Sequence, residues 1–138
     1  MRLFLRCLGV LLGIIIIDAL LMMGASELGG EVVTLIRPEP DGSTSEIRLW
    51  IVDADGQSWI EHGDGEAFWI NRLTHRPEIS LVRDGNENVY RAVPDLISHD
   101  RFHQLRREQY GIAAMIVEMG SFGLMGKDRC TAVPVRLD

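Results

Sequence analysis

Three patterns of apolar and polar residues follow one another along the chain. From Leu3 to Met23 the sequence LFLRCLGVLLGIIIIDALLMM is almost unbroken apolar. As a helix these 21 residues span about 32 Å, close to the hydrocarbon thickness of a bilayer. From Glu31 onward the pattern changes to short β-rich runs separated by turn residues: Glu31–Arg37, Glu46–Asp53, Ser58–His62, Glu78–Arg83, Asn88–Val93 and Thr131–Leu137. Within the second run Ile47, Leu49 and Ile51 alternate with Arg48 and Trp50, so one face is apolar and the other is not. Asp55-Gly56 and Asp84-Gly85 carry the Asp-Gly signal of tight hairpins. Pro134 reads as a sign that the last strand lies at an edge or bulge.

The third pattern is helical. Asp64 is placed to cap a short helix ending near His75, with Glu66 in its first turn and Ala67, Phe68, Ile70 and Leu73 as its stripe; Pro77 stops it. Ser98 is placed to cap a second helix from His99 to Met119, interrupted at Gly111. Its expected buried face is Phe102, Leu105, Ile112, Met115, Ile116 and Met119. Gly120, Gly123 and Gly126 read as a loop. Six strands in antiparallel pairs with two helices predict a mostly β (α+β) domain closed as a small barrel, because closure removes exposed edges. The expected organisation is an anchor or uncleaved signal at 1–23, a linker at 24–30 and the barrel at 31–138.

Charge bears on location and partners. Arg2 and Arg6 sit at the N-terminal end of the apolar run, and no Lys or Arg lies between it and Arg37. The positive-inside bias places the soluble domain on the non-cytoplasmic side of a single-pass membrane protein. Cleavage near Gly24-Ala25-Ser26 would instead release a secreted domain, although the apolar run is longer than a signal needs. Asp18 sits about five residues from the end of the run, so interface proximity explains it. Without Arg2, Arg6 and Asp18 the remainder carries 12 basic and 19 acidic residues. Such a domain suits neither nucleic acid nor an anionic lipid surface. Cys7 and Cys130 cannot meet without burying a loop in lipid, so no intramolecular disulfide is expected.

Few motifs carry chemistry. His99 and His103 share a helix face at metal-ligand spacing, but no third ligand is evident. They read as solvated helix residues, with no metal site expected. Asp53-Ala54-Asp55-Gly56 lacks the later oxygen ligands of a calcium loop and reads as a hairpin turn. There is no phosphate-binding P-loop, dinucleotide fingerprint or Gly-x-Ser-x-Gly elbow. His62-Gly63-Asp64-Gly65 leads into the helix with Trp69 and Arg72. Amides there could meet a phosphate, but Asp64 and Glu66 stand where the anion would be, which favours a cap alone.

The stretch Trp69-Ile70-Asn71-Arg72-Leu73-Thr74-His75-Arg76-Pro77, followed by strand–turn–strand, resembles the deazaflavin (F420)-dependent nitroreductase/quinone reductase family. That family has Trp-x-x-Asn-Leu-x-x-x-Pro here. Trp69, Leu73 and Pro77 match, while the Asn stands at Asn71. Gly42–Ser45 and Leu49-Trp50 fall where the family has a Gly-x-x-Ser turn and strand, and Tyr110-Gly111 and Ala132–Val135 resemble its last helix and strand. The resemblance implies the split β-barrel of flavin-binding proteins, F420 or FMN as cofactor, a small-molecule acceptor and a homodimer. It implies Ser43, Thr44, Ser45 and Arg48 around the phosphate or ring edge, Gly63, Trp69 and Arg72 about the pocket, and Tyr110 as proton donor. The departure is that Ser43 and Thr44 replace the family's basic turn residues, and Gly65-Glu66 its Lys before the helix. Two functions follow: a membrane-anchored oxidoreductase passing hydride to a quinone or nitroaromatic, or a non-catalytic tethered barrel that binds a small ligand or partner and no cofactor.

Overall fold

The computed structural model describes residues 2–95, 99–122 and 131–138, with side chains from residue 6 to 95, 99 to 119 and 131 to 138. The elements are α1 (Arg2–Leu28), β1 (Val32–Pro38), β2 (Thr44–Ala54), β3 (Gln57–His62), α2 (Phe68–Arg72), β4 (Glu78–Arg83), β5 (Asn86–Pro94), α3 (His99–Tyr110), α4 (Ile112–Phe122) and β6 (Val133–Leu137). The six strands close a barrel in the order β1-β2-β3-β6-β5-β4, antiparallel at every seam.

Alternation decides what fills the barrel. Val33 and Leu35 of β1, Ile51 of β2, Ile60 of β3, Ile79 and Leu81 of β4, Ala92 of β5, and Val135 and Leu137 of β6 form its core, with Ile47 and Leu49 packed against them. Full burial of each large aliphatic contributes about 1.5–3 kcal/mol. Trp69, Ile70 and Leu73 join this core from α2 and the residue after it. Both Asp-Gly turns adopt the left-handed pairs that two-residue hairpins need: Asp55 and Gly56 at φ 54° and 78°, Asp84 and Gly85 at φ 51° and 77°.

Several local expectations are corrected. Pro134 lies on neither edge nor bulge, since β6 runs between β3 and β5. The β5–β6 ladder ends at Pro94–Val135, and the Pro134 carbonyl accepts a bond from Asp95 N at 2.9 Å. The absent N–H therefore falls where that ladder has run out. Asp64 does not cap α2. Its carboxylate receives Glu66 N at 2.9 Å in a local turn, and the helix starts four residues later with Ala67 as an uncapped first position.

The long helix is two helices, so three accompany the barrel besides α1. Gly111 takes φ +55°, which breaks the helical phase. As a result the buried positions are Phe102, His103 and Arg106 on α3 and Ala114 on α4, whereas Ile112, Met115 and Met119 face outward. Gly120 belongs to α4; Ser98, Gly123, Gly126 and Cys130 lie outside the described residues.

Within α1, residues 6–28 form a helix long and apolar enough to cross a membrane. The helix runs on through the expected linker to Leu28 and packs along α4. Trp50 Nε1 donates to the Ser26 carbonyl at 2.6 Å, and Arg48 pairs with Glu27 at 2.6 Å. These contacts keep 24–28 helical, and Gly29-Gly30 makes the break.

Candidate functional site

The residues expected around a cofactor divide among three places. Ser43, Thr44 and Ser45 lie on the β1–β2 hairpin and the start of β2. Asp41 accepts from Ser43 N at 2.9 Å and from Ser43 Oγ at 2.6 Å. Glu39 accepts from Ser45 Oγ at 2.5 Å and from Arg37 at 2.6 Å. The Ser45 bond and then Arg37 hold the Glu39 carboxyl below its ordinary value, and the Ser43 bonds do the same for Asp41. Both acids stay ionised with the serine hydroxyls turned toward them. This hairpin does not fit a phosphate, since an anion would meet two carboxylates and lose the donors they hold.

Gly63, Trp69 and Arg72 gather at one end of the barrel. The Gly63 carbonyl accepts from Thr131 Oγ1 at 3.0 Å. Trp69 is buried with its ring edge-on to His62 at 5.3 Å, and its Nε1 has no hydrogen-bond partner among the described residues. Arg72 ends α2 and makes no ion pair among the described residues. A cavity of about 400 Å³ lies alongside, lined in part by Asp64, Glu66, Ile70 and Asn71. Its two acids again disfavour an anion.

Arg48 and Tyr110 lie on the outer side of β2, away from those residues. Arg48 is exposed and bound to Glu27. Tyr110 donates to the Ile51 carbonyl, and its ring tilts against Trp50 at 5.1 Å. Burial raises the Tyr110 hydroxyl above its ordinary value. Between Ser45 and Ile51 β2 runs for about 20 Å at roughly 3.3 Å per residue, so the structure does not bring Tyr110 to the hairpin.

The cleft beside Arg48 is about 270 Å³ and is lined by Trp50, Glu61, Phe102 and Arg106 among others. That is ring-sized, at the lower limit for small-molecule sites. It offers an aromatic face and two guanidinium groups, each already bound to a carboxylate: Arg48 to Glu27, and Arg106 to Glu61 at 3.1 Å.

Deeper along the same wall is a polar cluster that sequence reading missed. Glu61 points outward from β3 beneath α3. Its Oε1 lies 3.2 Å from His103 Nε2 and 3.4 Å from His99 Nδ1. Glu118 of α4 reaches His103 Nδ1 at 3.2 Å, Arg106 at 3.1 Å and Arg107 at 2.8 Å. Burial raises the Glu118 carboxyl, but bonds from Arg107, Arg106 and His103 outweigh it and leave it lowered. His103 is only 6% exposed, which corrects its reading as a solvated residue. The i, i+4 histidines were the available signal. Glu61 lay far away in sequence, with nothing local to mark it.

No protein-family model matches the chain, and no curated protein matches it. Solved structures do. An F420-H2 dependent reductase (FDR-A) shares 14% identity over 78% of this chain and 94% of its own, with a TM-score of 0.50. A Listeria innocua protein described as a pyridoxamine 5'-phosphate oxidase shares 10% identity over 84% and 88%, with a TM-score of 0.51. The heme storage protein HutZ from Vibrio cholerae shares 12% identity over 84% and 85%, with a TM-score of 0.50. With its closed barrel of six antiparallel strands, the chain has the split-barrel fold these proteins share, as the Trp69–Pro77 resemblance led us to expect.

Proposed function

We propose that this is a membrane-tethered, oxidoreductase-like split-barrel protein that binds F420 or FMN weakly and serves a quinone or nitroaromatic acceptor. The observation that supports it most is the likeness of the whole barrel to the F420-H2 dependent reductase, which extends over 94% of that chain. The bound ring would supply hydride chemistry, and the protein would supply position. α1 supports the tether, being apolar and mostly exposed from residue 6 to 21. A tether suits an acceptor dissolved in lipid. The soluble domain faces the non-cytoplasmic side, and two copies pair through their barrels.

Weak binding follows from the site. A charge-assisted contact contributes about 1.5–3 kcal/mol against about 1 for a neutral one. Ser43 and Thr44 stand where the resemblance expects two such contacts, and Asp41 already holds the Ser43 donors, so at least the charge-assisted gain is lost, on the order of 1–4 kcal/mol, or roughly five- to a thousand-fold in affinity. Arg48 in the cleft and Arg72 at the barrel end are the cations left to compensate. The full chain in detergent, titrated with FMN and F420 and followed by absorbance, is expected to bind one of them at micromolar strength or weaker. Arg48→Ala or Arg72→Ala is expected to weaken it further. Tight binding that ignores both substitutions would place the phosphate elsewhere.

The acidic hairpin favours a second reading, a non-catalytic tethered barrel that binds a small ligand or partner. Failure of either cofactor to bind any variant would support it.

A further inference from the structure

We propose that Glu61, His99 and His103 form a binding site for a divalent transition metal of the zinc class. Glu61 Oε1, His99 Nδ1 and His103 Nε2 all lie within 4.8 Å of one another. Zinc sits about 2.0–2.1 Å from such donors in a tetrahedral site, which sets donor–donor separations near about 3.3 Å. The two edges through Glu61, at 3.2 and 3.4 Å, already have that length. The remaining edge closes by a small turn of the His99 ring, whose side chain keeps 25% exposure and so has room to move. Glu61 Oε1 and His99 Nδ1 are buried and, although close to each other, make no well-aligned hydrogen bond among the described residues. Buried polar atoms without partners cost about 1–3 kcal/mol each, and an ion between them removes that cost.

The surroundings have the order a metal site needs. A metal-bound histidine commonly gives its other ring N–H to a carboxylate. Glu118 Oε1 stands 3.2 Å from His103 Nδ1, ready to accept it. The second oxygen of Glu61 is fixed by Arg106 Nη1 at 3.1 Å, which leaves Oε1 for the ion. Arg106 Nη2 lies 2.8 Å from His103 Nδ1 and 3.1 Å from Glu118. As the cluster stands Arg106 Nη2 donates to His103 Nδ1, which puts the ring proton on Nε2; an ion at Nε2 shifts the ring to the other tautomer, whose Nδ1–H donates to Glu118, and Arg106 Nη2 turns from Nδ1 to Glu118. Three protein donors leave a fourth coordination position. Glu61, Phe102 and Arg106 also line the cleft beside Trp50, so the fourth ligand, water or a small molecule, enters from there. The positive charge of Arg106 and Arg107 offsets the negative charge of Glu61 and Glu118, so affinity on the order of micromolar, rather than picomolar, is expected.

The test uses the full chain in detergent, stripped with a chelator and titrated with zinc alone and with cobalt(II) alone. The expected result is one ion per chain, with the intense visible bands of tetrahedral cobalt. His99→Gln keeps the side chain polar and is expected to weaken binding about 100-fold; Glu118→Gln, which leaves all three donors, about 10-fold. His99→Cys supplies another zinc donor and is expected to restore binding. His75→Ala, on an exposed turn away from the cluster, is expected to change nothing. Far-ultraviolet dichroism of each variant confirms folding, and the Cys and Gln pair stays informative if one is less stable. Absence of one-to-one binding in the parent protein would overturn the proposal and leave a buried ion-pair hub. Binding undiminished by His99→Gln would overturn it as well, because the ion would then be held elsewhere.

Discussion

Arg83 ties together three parts of the barrel that are distant in sequence. It leaves the end of β4 and grips Glu31 at 2.5 Å and Asp53 at 2.6 Å, joining the β1–β4 seam to the end of β2. Arg83 holds the Asp53 carboxyl below the usual carboxylate range, more than burial raises it, and Ser58 lowers it further. A carboxylate depressed in the folded state contributes stability that is complete above its unfolded value, about pH 4. That stability is lost as pH falls through the lower folded value, while Arg83 stays charged throughout. Asp53 is 43% exposed, so solvent limits the contribution to about 1 kcal/mol. Asp53→Asn is expected to lower the melting temperature at pH 7 and leave it unchanged near pH 2. Equal losses at both pH values would mean that packing, not charge, is what Asp53 supplies. None of this network was readable from sequence, because Glu31, Asp53 and Arg83 meet only after the barrel closes. The same is true of the serines. Ser43 and Ser45 read as phosphate donors until Asp41 and Glu39, two and six residues back, are seen holding them.

At the scale of elements, local patterns proved the best guide where one face is dry. Strand positions, both Asp-Gly turns and the interruption at Gly111 all follow from alternation and turn chemistry. The buried face of the last helices did not, because a left-handed residue resets the phase and periodicity cannot be carried through it. Ile112, Met115 and Met119 thus stay outside, on the helix that packs along α1. Gly111 is therefore the residue that orients α4. A Cβ there has open space around it but a backbone at φ +55°. An L-residue pays about 1–2 kcal/mol for that conformation. Gly111→Ala is expected to lower the melting temperature by roughly 4 °C. Gly111→Asn is expected to lower it less, since Asn tolerates the left-handed region. If Ala costs nothing, α3 and α4 have joined as one helix, and the cleft beside Trp50 should then change shape and ligand response with it.

For the whole molecule, the decisive question is whether the apolar helix stays on the barrel. Sequence alone left an anchor and a cleavable signal both open, because length and flanking charge describe the apolar run and not what its end touches. The end of α1 is part of the domain. Ser26 accepts the Trp50 indole N–H, Glu27 holds Arg48, and Gly29 is so close to Ala113 that no side chain would fit. Trp50 in turn packs at a tilt against Tyr110, whose hydroxyl is tied to β2. A protease favours exposed, loosely held backbone, whereas Gly24-Ala25-Ser26 is helical and partly buried. Cutting after Ser26 would also strip the acceptor from a half-buried indole, at about 1–3 kcal/mol. We therefore expect retention. Protein extracted from membranes should have the mass of the uncut chain, and a reporter fused after Asp138 should be active only outside the cytoplasm, because Arg2 and Arg6 hold the start of α1 inside. A mass beginning between Gly24 and Ser26 would overturn retention, and one beginning at Glu27 or later would also mean that the Ser26 contact is dispensable. In that case Trp50→Ala should leave the stability of the released domain unchanged. If the helix is retained, the same substitution should destabilise the protein and loosen α1 from the barrel, measurable as faster proteolysis near Ser26.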